Sequence, residues 1–265
     1  MDTEVSSLQS VERNRTLKRR LFGVLISVAL LGVLAYIPYN ISLIGLPPSE
    51  PIPPWLAMLI WFFQNLLMFA AAAGLGLWLG DKVGLGAPFL QAWLMGDREA
   101  SGRIRAVLPL AVSAGALAGA VIWLLEKVVF TPYLPQALRM GAQPPPWQGF
   151  LASFYGGINE ELLLRFGFMT LLVWLGTKLA RQSSPGPAVM WAGVVLAALL
   201  LGAAHLPMAA ALAPLTTVVI VRTMLLNSIG GLVFGWLYWR QGLLAAMVAH
   251  FSADVVLHVI GAMTS

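Results

Sequence analysis

The sequence predicts an all-α fold, a polytopic transmembrane helical bundle of about seven spans. The chain has 265 residues, of which 59% are hydrophobic and 10% charged, whereas roughly a quarter of the residues in a soluble domain are charged. Its apolar stretches are long and continuous, each near the ~20 residues that a helix needs to cross a bilayer. An outer-membrane barrel would instead show short segments of alternating hydrophobicity. Cysteine is absent, which excludes disulfides and thiolate catalysis.

Seven apolar segments follow one another and are separated by polar or Pro-rich connections. The connection 81–105 mixes Gly, Pro, Trp and charges, so we expect an interfacial loop with a short amphipathic helix there; an eighth span is the alternative. The organisation is therefore a basic N-terminal segment (1–20), N-terminal spans with this loop (21–149) and a C-terminal core (150–265). The predicted spans are about 21–37, 55–80, 107–130, 150–179, 188–205, 215–238 and 243–263.

The basic residues are distributed unevenly between the two sides of these spans. Five precede the first span, four lie in 81–105, two follow the fourth span and one follows the sixth. Lys127 and Arg139 fall on the opposite side, and Arg165 and Arg222 fall within spans. Because cytoplasmic loops are enriched in Lys and Arg, this bias predicts a cytoplasmic N-terminus. It also explains the net charge of +5 without nucleic acid as a partner.

Several ionisable residues lie inside the predicted spans, where a charge is costly and needs a partner or a function. Glu126 and Lys127 lie near a span end, where snorkelling is a sufficient explanation. A structural ion pair is an equal alternative for Arg222, and a structural role is favoured for His258. The residues within spans are Glu160, Glu161, Arg165, His205, Arg222, His250, Asp254 and His258.

Spacing on the helices suggests how these groups divide their roles. Glu161 and Arg165 are four residues apart, so they share a helix face and can form an ion pair. Glu160 points about 100° away from Glu161 and stays available for chemistry. His250 and Asp254 are also four apart, which lets the carboxylate orient the imidazole or support it as a metal ligand.

These segments together resemble the CPBP family of intramembrane proteases, also called the Abi or CAAX-protease-like family. Its pattern is E-E-x-x-x-R on one helix, aromatic-x-x-x-H on a second and H-x-x-x-N or H-x-x-x-D on a third. Glu160, Glu161 and Arg165 match the first motif, and His250 with Asp254 matches the third. His205 matches the second, although Leu201 replaces the usual aromatic residue. The resemblance covers about residues 150–260.

The resemblance implies an intramembrane endopeptidase that hydrolyses a peptide bond of a membrane-associated or lipidated protein or peptide. Its catalytic residues would be Glu160, His205, His250 and Asp254, supported by Glu161 and Arg165. Family members have been described both as metalloproteases and as metal-free glutamate proteases. In the first case Glu160, His205 and His250 would hold Zn²⁺ or another divalent metal with an open water position, and the acidic Asp254 favours this version or a supporting role beside it.

The resemblance further implies a location in the bacterial inner membrane. The lipid bilayer and a membrane-embedded or lipidated substrate are the expected partners, with another membrane protein as a further one. Two other functions remain open. One is a non-proteolytic scaffold or chaperone subunit with the same fold, although such a subunit does not need the intact set of Glu and His residues. The other is a proton-coupled transporter, which intramembrane Glu, Asp, His and Arg would suit, although the chain shows no internal repeat.

Overall fold

The structure, a computed structural model, describes residues 2–46, 51–140 and 144–263. The two Pro-rich connections expected at 47–54 and 131–147 therefore lie partly outside the described residues. Within the described residues all regular structure is helical. The prediction of an all-α fold is confirmed.

Seven helical segments are long and apolar enough to cross a bilayer, as the sequence predicts. The region expected to form an interfacial loop contains a short helix, Pro88–Leu94, and no additional span. Span seven has the predicted bounds, and span four departs from them only at its start. The remaining five spans depart from the predicted bounds at both ends. In order, the seven spans are Glu12–Ile44, Pro54–Val83, Ala100–Tyr133, Pro146–Leu179, Pro187–Leu212, Thr217–Gln241 and Leu243–Met263.

Several spans contain more than one helical type. The helix of span one begins at Asp2 and runs unbroken to Ile44, through the basic segment. Span three changes from α-helix (Ala100–Leu125) to a π turn (Glu126–Phe130) and a 3-10 turn (Thr131–Tyr133). Span five comprises Pro187–Ala204 and Leu206–Leu212, and a short helix, Gln136–Met140, connects spans three and four.

Span four is the most irregular of the seven. Its α-helical ends, Pro146–Phe154 and Thr170–Leu179, flank two π-helical stretches, Tyr155–Glu160 and Leu162–Met169. π-helical turns inside α-helices are rare and occur often at functional sites. Span seven has a similar insertion, Val255–Ile260, between Leu243–Asp254 and Gly261–Met263.

Local sequence explains where spans begin and end. Spans two, four and five have Pro in the first turn, a position where the missing N–H costs no hydrogen bond. Span two ends at Gly84, which has a φ of 69°. Spans six and seven are joined by the single residue Gly242, with a φ of 88°. Such left-handed backbone favours glycine, so one residue suffices to reverse the chain.

Span four lies at the centre of the bundle. It packs against spans one, two, five and seven, and 50% of its most apolar window is buried, against 22–39% for the other spans. The helix that carries Glu160, Glu161 and Arg165 is thus enclosed by protein rather than by lipid.

Glycines let spans three and seven approach closely. A Cβ on Gly115 would collide with the backbone of Ala249, and one on Gly119 would lie 2.7 Å from the carbonyl oxygen of Ala253. Small residues at helix interfaces permit this approach in membranes. The contact fixes the turn of span seven that carries His250 and Asp254.

The outer surface of the bundle is apolar. Large side chains such as Leu31, Leu67 and Leu117 are more than 60% exposed. A soluble monomer rarely exposes so much contiguous apolar surface, whereas lipid covers it without cost. The chain is an integral membrane protein.

Candidate active site

One cavity of about 730 Å³ lies inside the bundle. Every span except the second contributes to its lining. The wall extends beyond the spans that carry the motifs, since Tyr36 and Tyr39 of span one and Trp123 and Glu126 of span three also line it. The predicted site residues that line this cavity are Glu160, His205, His250 and Asp254.

Glu161 and Arg165 lie behind the cavity wall, and both side chains are completely buried. Arg165 Nη1 is 2.9 Å from Glu161 Oε1, an ion pair without the alignment of a hydrogen bond. Arg165 Nη2 donates to the carbonyl oxygen of Gly231 at 3.1 Å, and its guanidinium lies over the ring of Phe234 at 5.6 Å. The predicted pairing of these two residues is present in the structure.

Glu160 points in a different direction and lines the cavity. Its side chain is 21% exposed, and Oε1 is 3.9 Å from His205 Nε2. Its other oxygen, Oε2, is buried and has no hydrogen-bond partner among the described residues. An unsatisfied buried carboxylate oxygen is costly unless a ligand or water contacts it. Glu160 is therefore placed to receive a proton or a donor group inside the cavity.

His205 ends the main helix of span five, where Pro207 follows in the next turn. Its Nδ1 is 2.8 Å from the carbonyl oxygen of Leu201. A carbonyl oxygen only accepts, so Nδ1 carries the proton and donates. In the neutral ring, Nε2 then presents a lone pair towards Glu160. Leu201 thus orients this imidazole through its backbone, whatever its side chain.

His250 is held by Glu161, the residue that follows Glu160 in the sequence. Its Nδ1 is 2.7 Å from Glu161 Oε1, and because an ionised carboxylate only accepts, Nδ1 donates this hydrogen bond. The ring stacks on Phe234 with centroids 4.4 Å apart. Nε2 faces the cavity and lies 3.6 Å from Asp254 Oδ1, beyond hydrogen-bond distance.

Gly156 makes room for this arrangement. A Cβ there would collide with Asp254 Oδ2 and would lie 3.2 Å from His250 Nε2. On Gly157, a Cβ would lie 2.9 Å from Met247 O and from Phe251 Cβ, both on span seven. The two adjacent glycines therefore let span four approach the third motif on span seven closely.

A family match accompanies this geometry. Residues 142–256 match the model of the family described as Type II CAAX prenyl endopeptidase Rce1-like, which is the CPBP family. The matched segment, which is similar to this family, is less than half of the chain. No curated protein and no solved structure matches the chain. The CPBP segment contains all six predicted site residues, Glu160 to Asp254, whereas His258 lies beyond it.

The family that this segment resembles is one of membrane-embedded peptidases. The roles of the individual residues stay predictions. The structure shows how these residues are grouped. Glu160 lies 3.9 Å from His205. Glu161 lies 2.9 Å from Arg165 and 2.7 Å from His250.

A metal site would need several of these side chains to converge on one point. Among the described residues, no three His, Asp or Glu side chains converge as a set that could hold a metal ion. Glu160, His205 and His250, the expected ligands, therefore do not form a closed set in this arrangement. Metal dependence stays a prediction.

Two tyrosines of span one complete the cavity wall. Tyr36 stacks on Tyr155 at 4.6 Å between ring centroids. Tyr39 O–H lies 3.2 Å from His258 Nδ1, which gives His258 a structural partner, as the sequence favours. Span one carries no family motif. The only signal for these residues is a pair of aromatics at i and i+3, and this pattern is equally typical of an interfacial aromatic belt.

A second ion pair, between Arg222 and Glu126, also lines the cavity. Arg222 Nε donates to Glu126 Oε2 at 2.8 Å, and Nη2 donates to Oε1 at 2.9 Å. Glu126 therefore has an ion-pair partner inside the protein, which the snorkelling interpretation did not include. The same pair agrees with the structural alternative for Arg222. The two residues are 96 positions apart, so no local spacing rule could have paired them.

Proposed function

We propose that the chain is an intramembrane endopeptidase in which Glu160 activates water for attack on a peptide bond. The observation that carries this is the contrast between two adjacent carboxylates. Glu161 is completely buried and engaged by Arg165 and His250, whereas Glu160 is 21% exposed and lines the cavity. A general base must be free to take a proton beside its substrate.

The pair formed by Glu160 and His205 supports a specific water position. Glu160 Oε1 and His205 Nε2 are both acceptors and lie 3.9 Å apart. A single water can donate one O–H to each of them, because a gap beyond hydrogen-bond distance suits a bridging water. Such a water would present its lone pair to a substrate carbonyl carbon.

Hydrolysis then proceeds through a tetrahedral intermediate. Glu160 takes a proton from the water as its oxygen bonds to the carbonyl carbon, and the C=O electron pair moves onto the carbonyl oxygen. Collapse of this tetrahedral intermediate breaks the C–N bond, and Glu160 returns the proton to the leaving amine. The products are a carboxylic acid and an amine, which become a carboxylate and an ammonium group once the acid's proton passes to the amine.

His250 is the proposed donor to the oxyanion. Because Nδ1 donates to Glu161, Nε2 is the nitrogen that faces the cavity. A proton on Nε2 makes the ring an imidazolium between Glu161 and Asp254, which are 2.7 and 3.6 Å away. Preorganised donors of this kind typically account for about 10²–10³ in kcat. Asp254 would orient and charge-balance the ring.

The experiment is proteolysis of a library of N-acylated, internally quenched peptides by purified protein in detergent micelles. We expect cleavage by the wild type and loss of at least about 100-fold in Glu160→Gln, since general base catalysis contributes about 10²–10⁴. Glu99→Gln is the matched control, because this carboxylate is 88% exposed and outside the cavity. Activity in Glu160→Gln equal to the control would refute the proposal.

The same assay addresses the two remaining interpretations. A scaffold or a transporter predicts no cleavage that depends on Glu160. Parallel reactions with and without chelator test the metal-dependent version, in which activity falls on chelation and returns with added Zn²⁺.

The basic residues support an orientation, which we also propose. The segments rich in Lys and Arg lie on the side of the N-terminus, and the ion pair of Lys18 with Asp81, at 2.6 Å, joins two of them. The cavity instead reaches Lys127 and Arg139, at the opposite membrane face. With the N-terminus cytoplasmic, the cavity opens to the extracytoplasmic side of a bacterial inner membrane.

A further inference from the structure

Spans two and four end in the same short sequence pattern, Trp-Leu-Gly-x-Lys, which the proposed chemistry does not use. Residues 78–82 read Trp-Leu-Gly-Asp-Lys, and residues 174–178 read Trp-Leu-Gly-Thr-Lys. In each span the Lys is the last residue but one and lies one helical turn beyond the Trp, so the two side chains share a helix face. Because both spans are even-numbered, both patterns lie on the membrane face of the N-terminus.

The packing of the two spans brings the two patterns side by side. A Cβ on Gly167 of span four would lie 2.8 Å from the Cβ of Ala72 of span two, so the helices are in close contact before the patterns begin. Farther along, the rings of Trp78 and Trp174 meet, with centroids 6.4 Å apart. Because the two spans run in the same direction, the register that pairs the tryptophans also pairs the lysines. Packed helix axes are about 8–10 Å apart, a separation across which two flexible Lys side chains can reach one anion.

Neither lysine is neutralised by an acidic partner. Lys82 Nζ lies 4.3 Å from the centroid of the Trp78 ring, a cation–π contact that holds the ammonium group beside the ring. The adjacent carboxylate of Asp81 is paired with Lys18 at 2.6 Å. Lys82 and Lys178 are both exposed, and neither forms an ion pair with any side chain that the structure describes. The two spans thus present two cations without a carboxylate between them.

A third cation follows span four at a position where glycine is the usual residue. The Gln182 N–H donates to the carbonyl oxygen of Thr177 at 3.0 Å, which closes a Schellman motif at the end of the helix. The motif places Arg181 in left-handed backbone, with a φ of 52°, and no other non-glycine residue that the structure describes has a positive φ. This conformation costs an L-residue stability that glycine would keep. An exposed arginine retained at such a cost points to a function of its side chain.

We propose that Lys82, Lys178 and Arg181 bind the headgroup of an anionic phospholipid. Lys and Arg give charge-assisted hydrogen bonds to phosphate oxygens, and Trp rings lie at headgroup level in membranes. Trp78 is 59% exposed and Leu179 is 84% exposed, so apolar surface for acyl chains lies beside the cations.

This chemistry selects one class of ligand. A zwitterionic lipid brings a cation of its own, which the three basic side chains repel, and a free phosphate ion has no acyl chain to cover the exposed apolar surface. An anionic phospholipid satisfies both parts of the surface. The site is separate from the cavity, since none of its three cations lines it, and binding there does not depend on the proposed peptidase function.

The test is native mass spectrometry of the purified chain in a non-ionic detergent, with phosphatidylglycerol and phosphatidylcholine of the same acyl chains added in equal amounts. We expect the protein that retains one lipid to prefer phosphatidylglycerol by at least about tenfold, because each Lys or Arg near an anionic headgroup contributes about a factor of five. Introducing Lys82→Gln and Lys178→Gln together should lower this preference by at least about tenfold on the same basis.

The matched control combines Arg105→Gln with Arg240→Gln, which removes two exposed cations from the same membrane face. Arg240 also lies beside an aromatic ring, 5.9 Å from the centroid of Trp239, but outside the paired patterns. This variant should keep the preference for phosphatidylglycerol. A general attraction of anionic lipid to basic loops predicts instead that both double variants lose it equally.

Arg181→Gly separates binding from stability. We expect it to lower the lipid preference by about fivefold and to keep or raise the Tm in lipid-free detergent, because glycine adopts left-handed backbone without strain. A residue with a purely structural role would leave the lipid preference unchanged. The same variant decides the question if the double Lys variant does not purify as a folded protein.

Four results would overturn the proposal. The first is equal retention of the two lipids, including retention of neither. The second is an equal loss of preference in the two double variants, and the third is an unchanged preference in the double Lys variant or in Arg181→Gly. The fourth is displacement of phosphatidylglycerol by inorganic phosphate, which would identify a site for a soluble anion.

Discussion

Two Arg–Glu ion pairs inside the bundle, Arg165–Glu161 and Arg222–Glu126, differ mainly in burial, and they permit a sharp test of what stabilises it. Arg165 and Glu161 are completely buried. Arg222 and Glu126 are 30% and 23% exposed, yet their geometry is the better one, with two aligned hydrogen bonds. If hydrogen-bond geometry decided stability, the second pair would matter more; if burial decided it, the first would.

We expect burial to decide. Arg165→Met leaves the carboxylate of Glu161 in the protein interior without its cation, and breaking a buried pair in this way costs about 3–5 kcal/mol. It also leaves the carbonyl oxygen of Gly231 without the donor now 3.1 Å away. Arg222→Met breaks a pair that is partly screened by solvent, for which the cost is about 0–1 kcal/mol.

These energies translate into separable melting temperatures. At about 2–4 °C per kcal/mol for a chain of this size, Arg165→Met should lower the Tm by about 6–20 °C and Arg222→Met by at most about 4 °C. The assay is thermal unfolding of both purified variants in one detergent, followed by the fluorescence of the ten tryptophans.

A double variant separates the buried charge from the lost packing. Glu161→Gln with Arg165→Met removes both charges, while the amide oxygen of Gln can still accept from His250 Nδ1. We expect it to be more stable than the sum of the two single changes by about 1–3 kcal/mol, the usual coupling of residues in contact. Equal Tm shifts in Arg165→Met and Arg222→Met, or strict additivity at positions 161 and 165, would refute the reasoning.

Three further predictions concern the site and its orientation. Asp254→Asn should stay within about tenfold of wild-type activity, because its amide oxygen can still face His250, whereas Asp254→Ala should lose about 10²–10³ in kcat; loss of bound metal together with activity in Asp254→Asn would instead establish a metal-supporting role. Gly156→Ala should abolish most peptide cleavage while the protein still purifies as a folded monodisperse species, because its Cβ collides with Asp254; wild-type kcat/KM would contradict this. Since the chain has no cysteine, a single Ala137→Cys should react with a membrane-impermeant maleimide in intact cells and Ser183→Cys only after permeabilisation, and the reverse pattern would invert the proposed orientation.

Hydropathy was sufficient to predict the number of spans but not where their helices end. Span seven has the predicted bounds, Leu243–Met263, because Gly242 breaks the chain immediately before it. Span one begins earlier than residue 21, since its helix continues through the polar segment from Asp2. Charged residues do not stop a helix; they only mark where it leaves the apolar phase. Composition therefore reports the membrane boundary and not the helix boundary.

The site was predictable where its partners share one helix. The spacing of Glu161 and Arg165 is a local rule, and their ion pair is present at 2.9 Å. The partner of Glu126, by contrast, is 96 residues away, and Tyr39 meets His258 across 219 residues. Such contacts depend on which spans become neighbours, and hydropathy carries no information about neighbours because every span presents lipid with the same kind of surface.

The different surroundings of Glu160 and Glu161 show what a sequence motif alone does not predict. Two adjacent carboxylates look equivalent in the sequence, and helix geometry adds only that they point in different directions. The bundle distinguishes them: Arg165 and His250 both converge on one oxygen of Glu161, while Glu160 faces His205 across 3.9 Å of cavity. Because Glu161 is paired with Arg165, accepts a hydrogen bond from His250 and is completely buried, it can orient His250 but does not line the cavity. We therefore propose Glu160, and not Glu161, as the base, and the Glu160→Gln experiment tests this assignment independently of the fold.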